Sequence, residues 1–252
     1  MAEKTSCRFF ENLECRSAEK RKEDCGGYLY NCPDLNCKTP DIYQSAIKKV
    51  LQYDFNQIEL LPRSCYKYYK GHEKQYYENR EKESSKGKRA RITEPYLCRC
   101  QYYQAVLGCD KACNEKWHSK EYGIIDYQLP TAHNHKAANV DLVLKRKCSN
   151  DSFLIEYKPE KSGEKLLRMI AEIVSYSIPI KKGDRYLKFL KSEFDITASM
   201  ENIHLGIMFH EDSPQHEEYK EGDKGIIQLF EKYNINIFMI TKNNEITLLK
   251  AF

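Results

Sequence analysis

The sequence predicts an α/β fold, a mixed sheet with helices on both faces, preceded by a cysteine-containing region of helical and irregular structure. Two patterns predict it. From Ile124 onward, short apolar runs of strand length alternate with stretches of helical period. Before residue 93 the chain instead carries Cys7, Cys15, Cys25, Cys32 and Cys37 among Gly26, Gly27, Pro33 and Pro40, a composition that interrupts regular elements. The chain divides accordingly into residues 1–92 and 93–252. The charged run Glu81–Arg91, ending Lys86-Gly87-Lys88-Arg89-Ala90-Arg91, forms an exposed linker between the two parts.

The elements follow in order. A helix begins at Thr39-Pro40-Asp41, where Thr39 is a cap, Pro40 suits the first turn and Asp41 favours the dipole. Ile42, Ala46, Ile47, Val50 and Leu51 give it an apolar face. A second helical stretch, Pro95–Leu107, leads to Cys109 and Cys113. Strands are expected at Ile124–Leu129, Val140–Leu144 and Phe153–Lys158, the last two joined through the turn signal Ser149-Asn150-Asp151-Ser152. A helix from about Gly163 to Ser177, a strand at Ile203–Phe209 and a helix at Ile226–Tyr233 come next. Ile235–Ile240 and Glu245–Leu249 are the closing strands.

The hairpin is where chemistry concentrates. Alternation puts Val140, Leu142 and Leu144 on one face of their strand and Asp141 on the other. In the next strand Glu156 and Lys158 share a face, opposite Phe153, Ile155 and Tyr157. With the turn centred near Cys148 and Ser149, residues whose numbers sum to 297 face one another, and Asp141 lies opposite Glu156. Side chains in such a pair are about 4.5–5.5 Å apart at Cβ, so two carboxylates there repel unless something compensates. Mg²⁺ or Mn²⁺ would supply that compensation. The alternative is that both acids point to water from an exposed hairpin. On the following helix Leu166, Met169, Ile170, Ile173 and Val174 form a buried stripe. Lys165, Arg168, Glu172 and Tyr176 recur three or four residues apart on another face.

Asp141, the Glu156-Tyr157-Lys158 triplet and the strand–strand–helix–strand order around them resemble the PD-(D/E)XK nuclease superfamily, the restriction-endonuclease-like fold. Glu172-Ile173-Val174-Ser175-Tyr176 is similar to the Gln-h-x-x-Tyr motif of RecB-type exonucleases (h being apolar), with Glu in place of Gln. The resemblance covers about Tyr122 to Phe252. No cysteine follows Cys148, so the iron–sulfur cysteine arrangement of some RecB-type nucleases is absent.

The resemblance implies a Mg²⁺- or Mn²⁺-dependent nuclease, with DNA ahead of RNA as substrate. It implies that Asp141, Glu156 and the backbone carbonyl of Tyr157 hold the metal. Lys158 would orient or deprotonate the attacking water and stabilise the pentacovalent state, with Glu172 and Tyr176 in the same catalytic set. Glu94 or Glu121 would add a further acid. His133 and His135 would touch phosphate or metal, or are plain loop residues. Lys136, Lys165, Arg168, Lys88, Arg89 and Arg91 are the candidate phosphate contacts, and the tyrosines between Cys65 and Arg91 could stack on bases or pack on the protein.

The cysteines carry two readings. Cys98, Cys100, Cys109 and Cys113, with His118 nearby, could hold a structural zinc; otherwise they are buried reduced thiols. No apolar run approaches membrane-span length and the first residues hold no signal-peptide core, which points to a soluble, cytoplasmic protein with few disulfides. A net charge of +4 says little alone about nucleic acid. Two other functions remain in view: a noncatalytic nucleic-acid- or protein-binding module, and an RNA-directed nuclease or toxin.

Overall fold

The computed structural model describes residues 29, 32–55, 94–107, 116–130, 139–181, 187–188, 191, 197 and 199–252. A six-stranded mixed sheet forms the centre, its strands lying side by side in chain order. They are β1 (Tyr122–Pro130), β2 (Asn139–Arg146), β3 (Ser152–Tyr157), β4 (Ile203–His210), β5 (Ile235–Ile240) and β6 (Ile246–Lys250). β1–β2 and β2–β3 pair antiparallel, β3–β4 and β4–β5 parallel, and β5–β6 antiparallel. The parallel steps demand crossovers. α3 (Leu166–Lys181) makes the first, and α4 (Pro214–Glu221) with α5 (Lys224–Tyr233) makes the second. Among the described residues two α-helices precede the sheet, α1 (Pro40–Gln52) and α2 (Glu94–Leu107).

Apolar side chains fill both faces. On one, Leu154, Leu205, Ile207, Phe209 and Ile237 pack beneath α1, α3 and α5. On the other, Leu144, Phe153, Ile155, Tyr157, Met208 and Phe238 pack with Leu97 and Cys98 of α2 and with Trp117. The described part of the amino-terminal region belongs to the first core: Leu29, Leu35, Ile47 and Val50 are fully buried in it. The linker proposed at Glu81–Arg91 lies outside the described residues.

The hairpin pairing Leu142↔Ile155, Val143↔Leu154, Leu144↔Phe153 follows the register expected from the turn. One face assignment is different. Val140 packs with its partner Leu129 under the helices, whereas Leu142 and its partner Tyr127 pack on the opposite side. Between them Gln128 takes a left-handed backbone, φ 50°, and the pairing has already slipped between Ile124 and Asp126. The ribbon therefore turns over locally instead of alternating evenly.

Helix ends also depart from expectation. Thr39 precedes α1, but its side chain makes no capping hydrogen bond; its carbonyl instead accepts from Tyr43 N. α3 starts at Leu166 rather than Gly163 and continues through Pro179 to Lys181. Its first amides are satisfied from afar: Lys165 N donates to Asn36 Oδ1 (2.7 Å), Leu166 N to Glu218 Oε2 (3.1 Å) and Leu167 N to Tyr43 Oη (3.2 Å). Tyr43 Oη donates in turn to Glu218 Oε1. Burial, then the Glu218 charge, push the Tyr43 hydroxyl far above its usual range, so it stays a donor.

α4 has no counterpart in the elements expected from sequence, although its signals are present. Ser213 Oγ accepts from His216 N, Pro214 opens the first turn, and Gly222 closes the helix at φ 69°. α5 meets α1 very closely. A Cβ added at Gly225 would lie 2.3 Å from Ile47 Cγ2, and Ile47 is β-branched and buried. Gly225→Ala is expected to cost about 1–3 kcal/mol, read as a lower denaturant midpoint with an unchanged slope.

Candidate metal centre

The β2–β3 pairing ends at Leu142↔Ile155, and the Asp141 side chain reaches the Tyr157 backbone just beyond it. Its Oδ2 accepts from the Tyr157 amide at 2.9 Å and its Oδ1 from Gln128 Nε2 at 2.7 Å. The left-handed turn of β1 at Gln128 places that side chain there. Next along β3, Glu156 points to the helix-covered side, and Lys158 follows after Tyr157. Strand periodicity thus delivers the acid and the amine to one spot.

Lys158 is 4 % exposed and meets four carboxylates. Its Nζ lies 2.7 Å from Glu156 Oε1, 2.9 Å from Glu164 Oε2, 3.0 Å from Glu94 Oε2 and 3.3 Å from Glu172 Oε2. These acids come from β3, the loop before α3, the first turn of α2, and α3 itself. Arg168 closes the far side, with Nε 3.1 Å from Glu172 Oε1 and Nη1 3.4 Å from Glu164 Oε1. Glu94, Asp141 and Glu156 each offer one oxygen, all within 4.8 Å of one another.

The titration behaviour reports a shortage of positive charge. Burial, reinforced by the Asp141 charge, pushes the Glu94 carboxyl up to about 9. Burial also raises Asp141, against the pull of Lys158 and the Tyr157 amide. Glu156 is driven well above the carboxylate range by burial and by Asp141. Glu172 resists the same burial because Lys158, Glu156 and Arg168 hold it below its ordinary value. Burial would strip Lys158 of its proton, but Glu156, Glu172, Glu94 and Asp141 hold its ammonium well above the usual value. One ammonium does not neutralise this set.

The structure brings Asp141, Glu156, Lys158, Glu172 and Arg168 together and chooses Glu94 over Glu121. Glu121 is exposed at the start of β1, its carbonyl accepting from Lys147 N. Tyr176, on α3 itself, is buried in the core, with its hydroxyl near enough to Arg168 to act on the guanidinium. One other expected member goes elsewhere. Lys165 lies over the Tyr43 ring with Nζ 3.9 Å from Glu218, because the start of α3 faces α1 and α4. Tyr157 contributes its amide; its ring lies on the opposite face, with Oη 2.8 Å from His210 Nε2 and Trp117 against it. Lys88, Arg89, Arg91, Cys109, Cys113, His133, His135 and Lys136 lie outside the described residues.

Glu164 and Gln128 were not singled out by sequence reasoning. Glu164 had a signal, being four residues before Arg168 and eight before Glu172 on the same helical face. Gln128 had none, since its role depends on the local turn of β1. For the cysteines, Cys98 and Cys100 are both buried on α2, two positions apart and so about 200° around its axis; that spacing does not direct both thiols to one ion. Cys98 lies near the acidic cluster, where burial and then the Asp141 charge keep its thiol protonated. His118 Nδ1 is 2.9 Å from the Asn244 carbonyl, at the β5–β6 turn. No cysteine joins a metal-capable group among the described residues. Among them, too, no helix is long and apolar enough to cross a membrane.

Comparison of the chain with family models, with curated proteins and with solved structures gives no match.

Proposed function

We propose that the chain is a divalent-metal-dependent phosphodiesterase that hydrolyses nucleic acid, DNA ahead of RNA, on a restriction-endonuclease-like scaffold of the PD-(D/E)XK type. One observation carries the reading. Three carboxylates from three separate elements, Glu94, Asp141 and Glu156, converge within 4.8 Å beside a buried ammonium. The donor set fits the ion: all ligands are carboxylate oxygens, which suit Mg²⁺ or Mn²⁺. Bound there, the ion would lower the pKa of a water and offset charge on the phosphoryl oxygens.

The chain's own residues have distinct parts. Glu94, Asp141 and Glu156 would hold the ion, and Gln128 with the Tyr157 amide fixes the orientation of Asp141. Lys158, its ammonium held by the surrounding acids, would supply positive charge and a hydrogen bond to the reacting centre. Arg168, partly exposed, offers charge toward a phosphate backbone.

The four ion pairs on Lys158 favour one other reading, a scaffold that binds nucleic acid without cutting it, because the ammonium is already fully engaged. Purified chain, incubated with labelled single- and double-stranded DNA and RNA, separates the two. The expected result is Mn²⁺-dependent cleavage that Lys158→Ala abolishes while its circular dichroism is unchanged. Retention of substrate with no cleavage in Mg²⁺ or Mn²⁺ selects the scaffold.

A further inference from the structure

Lys158 Nζ lies 3.0 Å from Glu94 and 2.7 Å from Glu156, two of the three acids that would hold a divalent ion. An ammonium at hydrogen-bond distance from those two acids competes for them with any second cation, since the charges would be only a few ångströms apart. Two further acids meet the same amine: Glu164 at 2.9 Å and Glu172 at 3.3 Å. Neither belongs to the metal-capable trio. Both are steadied by Arg168, 3.4 Å from Glu164 and 3.1 Å from Glu172. Glu164 stands on the loop before α3 and Glu172 within α3, so this second pair is carried by other elements than the hairpin of Asp141 and Glu156, although Glu172 also hydrogen-bonds to Glu156.

Resting on the metal-centre reading, we propose that Lys158 is an exchangeable counter-ion: a divalent cation displaces its ammonium from Glu94 and Glu156, and Glu164 with Glu172 keeps it beside the ion. Glu164 is thereby a positioning residue. It acts on the reaction through Lys158 and touches neither metal nor substrate. The arrangement reconciles two demands on one buried amine, to neutralise the acids and to leave room for the ion. It also accounts for a fourth and fifth carboxylate at a centre where three suffice to hold a cation.

The test reads Mn²⁺ affinity by electron paramagnetic resonance of free Mn²⁺, on the full chain without nucleic acid. Lys158→Met is expected to bind Mn²⁺ about tenfold more tightly or better, because a competing charge is gone. Glu164→Gln, at a partly exposed position, is expected to bind about threefold more weakly, and Glu164→Asp to recover most of the loss. A crystal structure with Mn²⁺ is expected to show Nζ beyond hydrogen-bond distance of Glu94 and Glu156 and still within it of Glu164 or Glu172. Simple loss of negative charge would weaken Glu164→Gln without that movement of Nζ, so a stationary Nζ overturns the proposal. Equal or weaker Mn²⁺ binding by folded Lys158→Met overturns it as well. If Lys158→Met does not fold, the Glu164 variants and the Mn²⁺ structure decide. Absence of Mn²⁺ binding by the parent and every variant removes the metal centre itself, and the exchange with it.

Discussion

Asp141→Asn is expected to reduce Mn²⁺-dependent cleavage by about a thousandfold or more, the size of several kcal/mol of lost charge stabilisation at the reacting centre. Both Asp141 oxygens accept from donors, Gln128 Nε2 and the Tyr157 amide, and one of them faces the ion position as well. Asparagine removes the charge and must turn its own NH₂ toward one of those donors, so one contact becomes repulsive. Single-turnover cleavage against Mn²⁺ concentration measures the effect, and cleavage within tenfold of the parent would count against the site. Asp212→Asn is the matched control. Asp212, His216 and Glu217 form a second metal-capable trio, but Asp212 and Glu217 are exposed and already paired with Lys242 and Lys220. No change is expected there.

Mn²⁺ affinity is expected to rise with pH up to at least the Glu94 value of about 9, by about tenfold per unit for each proton displaced. The cause is the protons that Glu94, Asp141 and Glu156 retain because burial disfavours their charges. A cation must drive those protons off before the oxygens can serve it. The sign for stability is opposite. Glu94 is raised from 4.5 in the unfolded chain to about 9, so between those values the folded chain binds more protons. Stability without added divalent ion therefore falls as pH climbs through that window, and is greatest at its acid end as far as this group is concerned. Calorimetry in buffers of different ionisation enthalpy reads the proton release directly. Affinity independent of pH between 6 and 9 would mean that these acids are not the ligands.

How far the sequence foretold this site depends on distance along the chain. Asp141, Glu156 and Lys158 were legible because the turn at Ser149–Ser152 sets the register, and register with two-residue alternation sets which side chains meet. Glu172 and Arg168 were legible through helical spacing. The choice of Glu94 over Glu121 was not, since it rests on how α2 packs against β1 and β2, and no local pattern encodes that. Lys165 fell on the expected stripe, yet a helix wedged between a sheet and two other helices has little solvated surface. Its ends face different neighbours. Even alternation failed at Val140, where one left-handed residue on the neighbouring strand redirects the ribbon.

The start of α3 links this site to the rest of the molecule in time as well as space. Its amides are closed by Asn36 and Tyr43, 129 and 124 residues earlier, and by Glu218, 52 residues later. Contacts of such separation form late, after long loops have closed. Glu218 is made only after the whole of α3 and β4, so the start of the helix bearing Glu172 lacks that one anchor until α4 has followed.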